Sequence, residues 1–355
     1  MTASYTWVQW NRHKINYDLI LTAFAVLFLA GFVITSSVVH SGQEAISPMI
    51  LLIRAFGILA LVLLHVILCI GPLARFTTLV APLLYNRRHL GVVMFLCALI
   101  HAALVFLFYG AFGVRSPISA VIDGYQSYNS ISGFPFEIMG FFALLILFTM
   151  AATSHDFWLS FLSPRIWKSI HMLVYIAYGL ILLHVVFGAL QSERHLAFGA
   201  LLIAGSVLVA VLHIAAAFKE SDRDKNGIES AQDWIDIGEI SDFPLNEGRV
   251  VCPKGAERVA VFRHENGMSA MSNVCAHQGG PLGEGQIVNG CVTCPWHGYQ
   301  YLPENGQSPP PYNEKVPTYE LKIQGQRVLL NTTSNQPGAP VEPANEVPKS
   351  VEGDQ

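Results

Sequence analysis

Cys275–Gly298 reads CAHQGGPLGEGQIVNGCVTCPWHG, and it decides how the chain is to be read. The stretch holds a C-x-H pair, Cys275 and His277, and a C-x-x-H pair, Cys294 and His297, with sixteen residues between His277 and Cys294. Two thiolates and two imidazoles supply the four ligands of one metal centre. A zinc finger groups Cys with Cys and His with His. Mixed pairs on two facing loops suit instead a 2Fe–2S centre, with two cysteines on one iron and two histidines on the other. The alternative on ligand type is a zinc knuckle.

Cys275, His277, Cys294, Pro295, Trp296, His297 and Gly298 resemble the two loops of a Rieske ferredoxin-type domain, a likeness that runs from Asp233 to Asn331. The resemblance implies that Cys275 and Cys294 hold one iron, and His277 and His297 the other. Quinol-oxidising members of that family tie the loops together with a disulfide; here Gly280 and Trp296 stand at those positions. Tyr299 replaces a serine that would donate to a bridging sulfur, while Tyr301 matches a tyrosine donor. Fewer donors stabilise the reduced cluster less, so its potential is expected in the lower part of the range of about −150 to +300 mV. That suits a ferredoxin-type electron carrier. A Rieske oxygenase would need a mononuclear iron held by two histidines and a carboxylate, yet no histidine follows His297.

Working outward, 52% of the 355 residues are hydrophobic and 13% are charged. That is the composition of a membrane protein with a soluble appendage. The net charge of −4 shows no basic excess for nucleic acid. The 6 cysteines form no secreted disulfide framework, and free thiols suit a reducing compartment. Apolar runs at Tyr17–Val39, Pro48–Ile70, Leu90–Phe112, Phe134–Ala152, Ile166–Leu190 and Leu196–Phe218 each approach the ~20 residues that cross a bilayer. The expected fold class is multi-domain: a six-helix α transmembrane bundle followed by a small all-β Rieske domain. Its expected parts are a membrane domain over 1–220, a linker over 221–232, the Rieske domain over 233–332 and a disordered tail over 333–355.

Six spans put both termini on one side. Arg12, Lys14, Arg75, Arg87, Arg88, Arg165 and Lys168 flank one face, whereas Arg115 and Arg194 lie beside Glu44, Asp123 and Glu193 on the other. The positive-inside rule then predicts a multi-pass inner-membrane protein with both termini and the Rieske domain in the cytoplasm. Trp10, Trp158 and Trp167 fall near that inner boundary. Strands are expected at Arg258–Phe262, Met268–Asn273, Tyr319–Ile323 and Arg327–Asn331, with a hairpin turn at Asn266-Gly267. No internal repeat is visible beyond the spans.

Ionisable residues inside apolar spans invite a functional reading. The candidates are His65, His101, His171, His184 and His213, with His89 at the mouth of the third span. Facing imidazoles on neighbouring helices clamp a haem iron from both sides. Arg87–Leu104 and Ser163–Val186 resemble the ferric-reductase-like transmembrane family, a likeness covering Pro48–Leu190. It implies b-type haem, one or two, between the third and fifth spans, with His101, His171 and His184 at the matching positions. Thirteen residues separate His171 from His184, about 20 Å along a helix and about 140° around it, so they do not serve one haem. By depth the expected pairs are His101–His184 and, nearer the inner face, His65–His171.

The expected function is membrane electron transfer between a cytoplasmic Rieske cluster and haem, the donor a cytoplasmic reductase and the acceptor a periplasmic molecule, metal ion or quinone. No phosphate-cradling glycine loop follows a strand, so a separate reductase supplies the electrons or the flow runs from membrane quinol towards the cytoplasm. The alternative is a membrane-tethered Rieske redox sensor or ferredoxin without haem turnover.

Overall fold

The computed structural model describes residues 12–39, 46–80, 83–84, 86–110, 116, 118–119, 136–154, 158, 162, 164–192, 196–229, 233–277, 279–296, 298–310 and 312–345. Trp10, Glu44, Arg115, Asp123, Glu193, Arg194 and His297 lie outside them. The chain divides into two compact units, Trp10–Ile214 and a second that begins at Ala215.

The first unit is helical: α1 (Arg12–Val39), α2 (Pro48–Leu73), α3 (Arg87–Gly110), α4 (Phe136–Ala152), α5 (Pro164–Met172), α6 (Val174–Phe187), and most of α7 (Leu196–Lys225). Ser47 starts α2 by accepting a hydrogen bond from the Ile50 amide at 3.3 Å, with Pro48 in the first turn. Leu51, Ala55, Leu59 and Leu63 recur every four residues and form its buried stripe. Leu90, Met94 and Cys97, spaced four and three residues apart, form the buried stripe of α3. Leu19, Ile20, Leu27 and Ile34 of α1 point outward, a face for hydrocarbon rather than water.

Among the described residues, five helical stretches are long and apolar enough to cross a membrane, with α5 and α6 counted together as Ile166–Gln191. The sixth, α4, has 17 residues, about 25 Å against a hydrocarbon core of about 30 Å. This is a multi-pass membrane protein of six helical segments. The fifth breaks at Leu173, whose amide bonds back three residues to Ile170. α5 (PRIWKSIHM) is polar on one side, unlike the apolar α6 that follows the one-residue break.

In the second unit, the stretch expected as a linker is structured. α7 runs to Lys225, and its last turns dock on the β domain. Arg258 pairs with Glu220 and, at 2.7 Å, with Asp224; these carboxylates are four residues apart on one helix face. Ile228 donates its amide to Cys252 and accepts from Lys254, both at 2.9 Å.

The β domain has nine strands: β1 (Trp234–Glu239), β2 (Gly248–Val251), β3 (Val259–His264), β4 (Gly267–Ser272), β5 (Gln286–Val288), β6 (Cys291–Thr293), β7 (Gln300–Tyr301), β8 (Thr318–Gln324) and β9 (Arg327–Ser334). A six-stranded antiparallel sheet orders them β1-β9-β8-β4-β3-β2, and β5-β6-β7 form a second sheet. The β3–β4 hairpin pairs His264 with Gly267, so Glu265 and Asn266 make the turn and Gly267 takes the positive φ of +121° just after it. Val259, Val261, Met268, Val328 and Leu330 fill the core of the large sheet.

The expected disordered tail is corrected. β9 continues to Ser334, Val341 donates to Glu304, and Ala344 exchanges backbone hydrogen bonds with Met268 while packing on the core. The Pro-rich composition reflects an irregular strap, whose backbone groups are satisfied by the edge it lies on. Residues 346–355 lie outside the described residues.

His264 is half-buried, 2.9 Å from the Ser269 hydroxyl, and burial lowers its pKa. A histidine lowered by folding favours the neutral form. Its contribution is therefore present above the ordinary histidine range and is lost as pH falls through about 6.5 and below. The β domain is expected to melt lower at pH 5.5 than at pH 7.5, with a smaller drop in His264→Gln, followed by loss of cluster absorbance on heating.

Candidate functional site

Two sets of residues carry chemistry, one in each unit. In the membrane unit, His101 on α3 and His184 on α6 face one another, with ring centres 6.2 Å apart and planes at 87°. His101 Nδ1 donates to the Ile53 carbonyl of α2 at 2.8 Å, and His184 Nδ1 to the Phe136 carbonyl of α4 at 2.9 Å. A carbonyl only accepts, so each Nδ1 carries the proton and each Nε2 keeps its lone pair. Two imidazoles bound through Nε2 to one metal ion have centres about 6 Å apart, given bonds of about 2.0–2.1 Å on each side. The observed separation fits that requirement.

The two halves of this site are copies. Each imidazole lies 48 residues beyond the carbonyl that holds it. One turn past each carbonyl is a glycine on which the ring lies. A Cβ on Gly57 would stand 2.9 Å from His101 Nδ1, and one on Gly140 would stand 2.8 Å from His184 Nδ1. The α2–α3 and α4–α6 hairpins thus form an internal repeat that the sequence reading did not detect. Their matching segments, IRAFG and FEIMG, share only the glycine. The Phe136 ring lies 5.3 Å from the His184 ring, centre to centre, while Phe141, Phe142 and Phe148 are exposed.

His65 and His171 are not brought together. His65 Nε2 meets the Tyr178 hydroxyl at 3.0 Å, and its Nδ1 bonds to Leu61 within α2. His171 stacks on Trp167 at 3.6 Å between ring centres, bonds to that residue's carbonyl and lies 3.3 Å from the Ser154 hydroxyl. The expected depth match assumed one straight helix, whereas the break at Leu173 places His171 on α5 and Tyr178 on α6. His213 pairs with Tyr175 at 3.1 Å, and His89 lies 2.7 Å from Asp18 of α1. Among the described residues, only His101 and His184 form an imidazole pair in ring contact.

In the β domain, two loops repeat one geometry. Cys275 donates its amide to Gly280 at 2.9 Å and accepts from Gly279 at 2.7 Å; Cys294 donates to Tyr299 at 2.8 Å and accepts from Gly298 at 2.9 Å. The fifth residue of each turn is a glycine at positive φ, +73° for Gly279 and +71° for Gly298. Both cysteines are 1% exposed in one core cluster with Leu282, Val292 and Tyr301. His277 lies in the first loop; His297 lies outside the described residues.

The Tyr301 hydroxyl is 3.2 Å from Cys275 Sγ, placed to donate to a thiolate. Tyr299 stacks on His277, ring centres 4.5 Å apart and planes within 9°, and its hydroxyl donates to Glu314. Glu314 therefore takes the hydroxyl of the residue that replaces the expected serine. A Cβ on Gly280 would stand 2.7 Å from Cys294 Sγ and 3.2 Å from the Trp296 ring, so the two loops touch where other domains of this kind place a disulfide. Tyr301→Phe is expected to lower the cluster potential by about 20–60 mV, the equivalent of one hydrogen bond of about 0.5–1.5 kcal/mol, as read by EPR-monitored titration.

A helical membrane unit joined to a β domain with paired Cys loops has the build of a membrane-bound electron-transfer protein. The chain belongs, through its β domain, to the Rieske ferredoxin family: residues 233–320 match the Rieske [2Fe-2S] domain, which carries a 2Fe–2S cluster, and residues 56–182 are similar to the ferric reductase like transmembrane component. An anthranilate 1,2-dioxygenase ferredoxin subunit from Burkholderia cepacia is 32% identical over 102 residues, 28% of this chain and 92% of its own. An alkene monooxygenase system ferredoxin component from Xanthobacter autotrophicus is 31% identical over 102 residues, 28% of this chain and 82% of its own. The heme-binding subunit MsrQ of a protein-methionine-sulfoxide reductase from Polaromonas naphthalenivorans is 29% identical over 180 residues, 50% of this chain and 74% of its own.

Proposed function

We propose that the protein carries single electrons between a Rieske cluster on the cytoplasmic side and one b-type haem held by His101 and His184, and on to an acceptor at the opposite face. The facing, carbonyl-pinned imidazoles are the observation that carries this reading. The similarity to a heme-binding subunit supports it. When bound, haem supplies a one-electron iron couple within the hydrocarbon layer.

The chain's own residues do the rest. Ile53 and Phe136 fix the imidazole tautomers, which turns Nε2 of both rings to the metal. Gly57 and Gly140 leave the rings their space. Cys275 and Cys294 hold one iron of the cluster and His277 and His297 the other, with Tyr301 stabilising the more negative reduced state. The donor is a cytoplasmic reductase, and the acceptor is a periplasmic molecule, metal ion or quinone. Lys14, Arg75, Arg87, Arg88 and Lys168 support a cytoplasmic β domain by the positive-inside rule.

The test is the visible and EPR spectra of the purified full-length protein. One haem and one Rieske signal per chain are expected. A Rieske signal without haem would overturn the electron-transfer reading in favour of a tethered ferredoxin or sensor.

A further inference from the structure

Glu137 sits in the first turn of α4, immediately after the carbonyl that pins His184, and it is 8% exposed. Its Oε1 accepts a hydrogen bond from the Tyr109 hydroxyl of α3 at 3.1 Å. Its Oε2 is fully enclosed and has no hydrogen-bond partner among the described residues. Tyr109 lies two turns past His101, about 12 Å along the helix, and one residue before the end of α3. In the matching half-site the residue after the pinning carbonyl is Arg54, so the two halves differ in charge at this one place.

An acid in the first turn of a helix is ordinarily accounted for by the helix dipole and the free amides there. Glu137 meets its own backbone amide as that pattern expects, but its side chain is also buried against α3 with Oε2 lacking a hydrogen-bond partner among the described residues. A carboxylate in that setting costs several kcal/mol unless a proton or a positive charge neutralises it. The titratable group facing it from α3 is Tyr109. α6 carries His184, which meets α4 at the neighbouring Phe136 carbonyl. α5 meets the opposite end of α4, where Ser154 lies by His171.

Building on the haem assignment above, we propose that Glu137 is the proton-exchanging group of the His101–His184 site. Adding one electron to an enclosed site makes it more negative by one charge, and in a low dielectric a proton taken up nearby offsets that charge. Glu137 takes one proton from water as the site gains an electron, and returns it as the electron leaves. The balance is one electron and one proton in each direction, the electron coming from the cytoplasmic donor. Tyr109, next to the helix end, positions the carboxyl and links it to the membrane surface. An acceptor that needs protons as well as electrons would receive them at this place.

The experiment is visible spectroelectrochemistry of the purified full-length protein between pH 5.5 and 9. The wild-type haem midpoint is expected to fall with pH, towards 59 mV per unit, one proton per electron for a one-electron couple. Glu137→Gln is expected to flatten that slope and Glu137→Asp to keep it. An unchanged slope in a haem-replete Glu137→Gln protein overturns the proposal. The second readout needs no variant that must fold: the reduced-minus-oxidised infrared spectrum of the wild type gains a protonated-carboxyl band, and absence of that band overturns the proposal equally. Wild-type protein without haem would instead overturn the haem assignment, whereas haem with a pH-independent midpoint overturns only the role of Glu137.

Discussion

His184→Ala is expected to abolish the haem spectrum while leaving the Rieske EPR signal at full intensity, and His101→Ala to do the same. Under the proposed ligation each removes one of the two imidazoles that would hold the haem, and among the described residues no third imidazole is in ring contact with them. The effect should be close to complete loss rather than a shift, because the partner ring remains pinned to its own carbonyl and cannot swing to compensate. His65→Ala is the control: it breaks the contact with Tyr178 and should leave the haem band in place. Gly140→Ala should give an intermediate result. Its new methyl would press on His184 Nδ1, so the ring must tilt or give up its hydrogen bond to Phe136. Haem content per chain, measured on detergent-purified protein, distinguishes these outcomes.

The second large effect is at Gly280. Gly280→Ala is expected to remove most of the cluster and leave the haem band unchanged. The added methyl would stand 2.7 Å from Cys294 Sγ, inside contact distance of an atom that must bind iron. The opposing wall is the Trp296 ring, packed on the core that holds both cysteines, so neither side relaxes cheaply. Iron and acid-labile sulfide per chain check this. Retention of a full complement would mean that the loops separate in solution more than their contact here implies.

Much of this was legible in the sequence for reasons that can be named. The Cys–His pairs identify themselves, because few metal centres need two sulfur and two nitrogen ligands at those spacings. Membrane spans are legible because hydrocarbon tolerates so few alternatives to apolar helices. His101 and His184 were paired from the family resemblance and from depth, and their rings lie together because α3 and α6 are regular helices.

The same depth reasoning failed for His65 and His171, since the break at Leu173 leaves no glycine or proline in the sequence. The repeat of the two half-sites was hidden because it is built from backbone carbonyls and missing side chains. Ile53 and Phe136 act only through their carbonyls, so nothing in their side chains advertises the role. Gly57 and Gly140 were the only readable trace: glycines in the middle of apolar helices, where close approach of another group is their physical use. Residues 221–229 of the expected linker and 333–345 of the expected tail take ordered structure that their composition does not announce. Glu220 and Asp224 look solvated until Arg258, more than thirty residues later, is folded against them.

The most direct measurement follows one electron through one molecule. Anaerobic full-length protein is mixed with a sub-stoichiometric amount of photoreduced flavin, and visible absorption and freeze-quench EPR are read on the same samples. The expected result is reduction of the Rieske cluster followed by its reoxidation as the haem band appears, with no haem reduction on that timescale in Cys294→Ser. A haem that reduces equally fast without the cluster, or a cluster that holds its electron while oxidised haem is present, would contradict it.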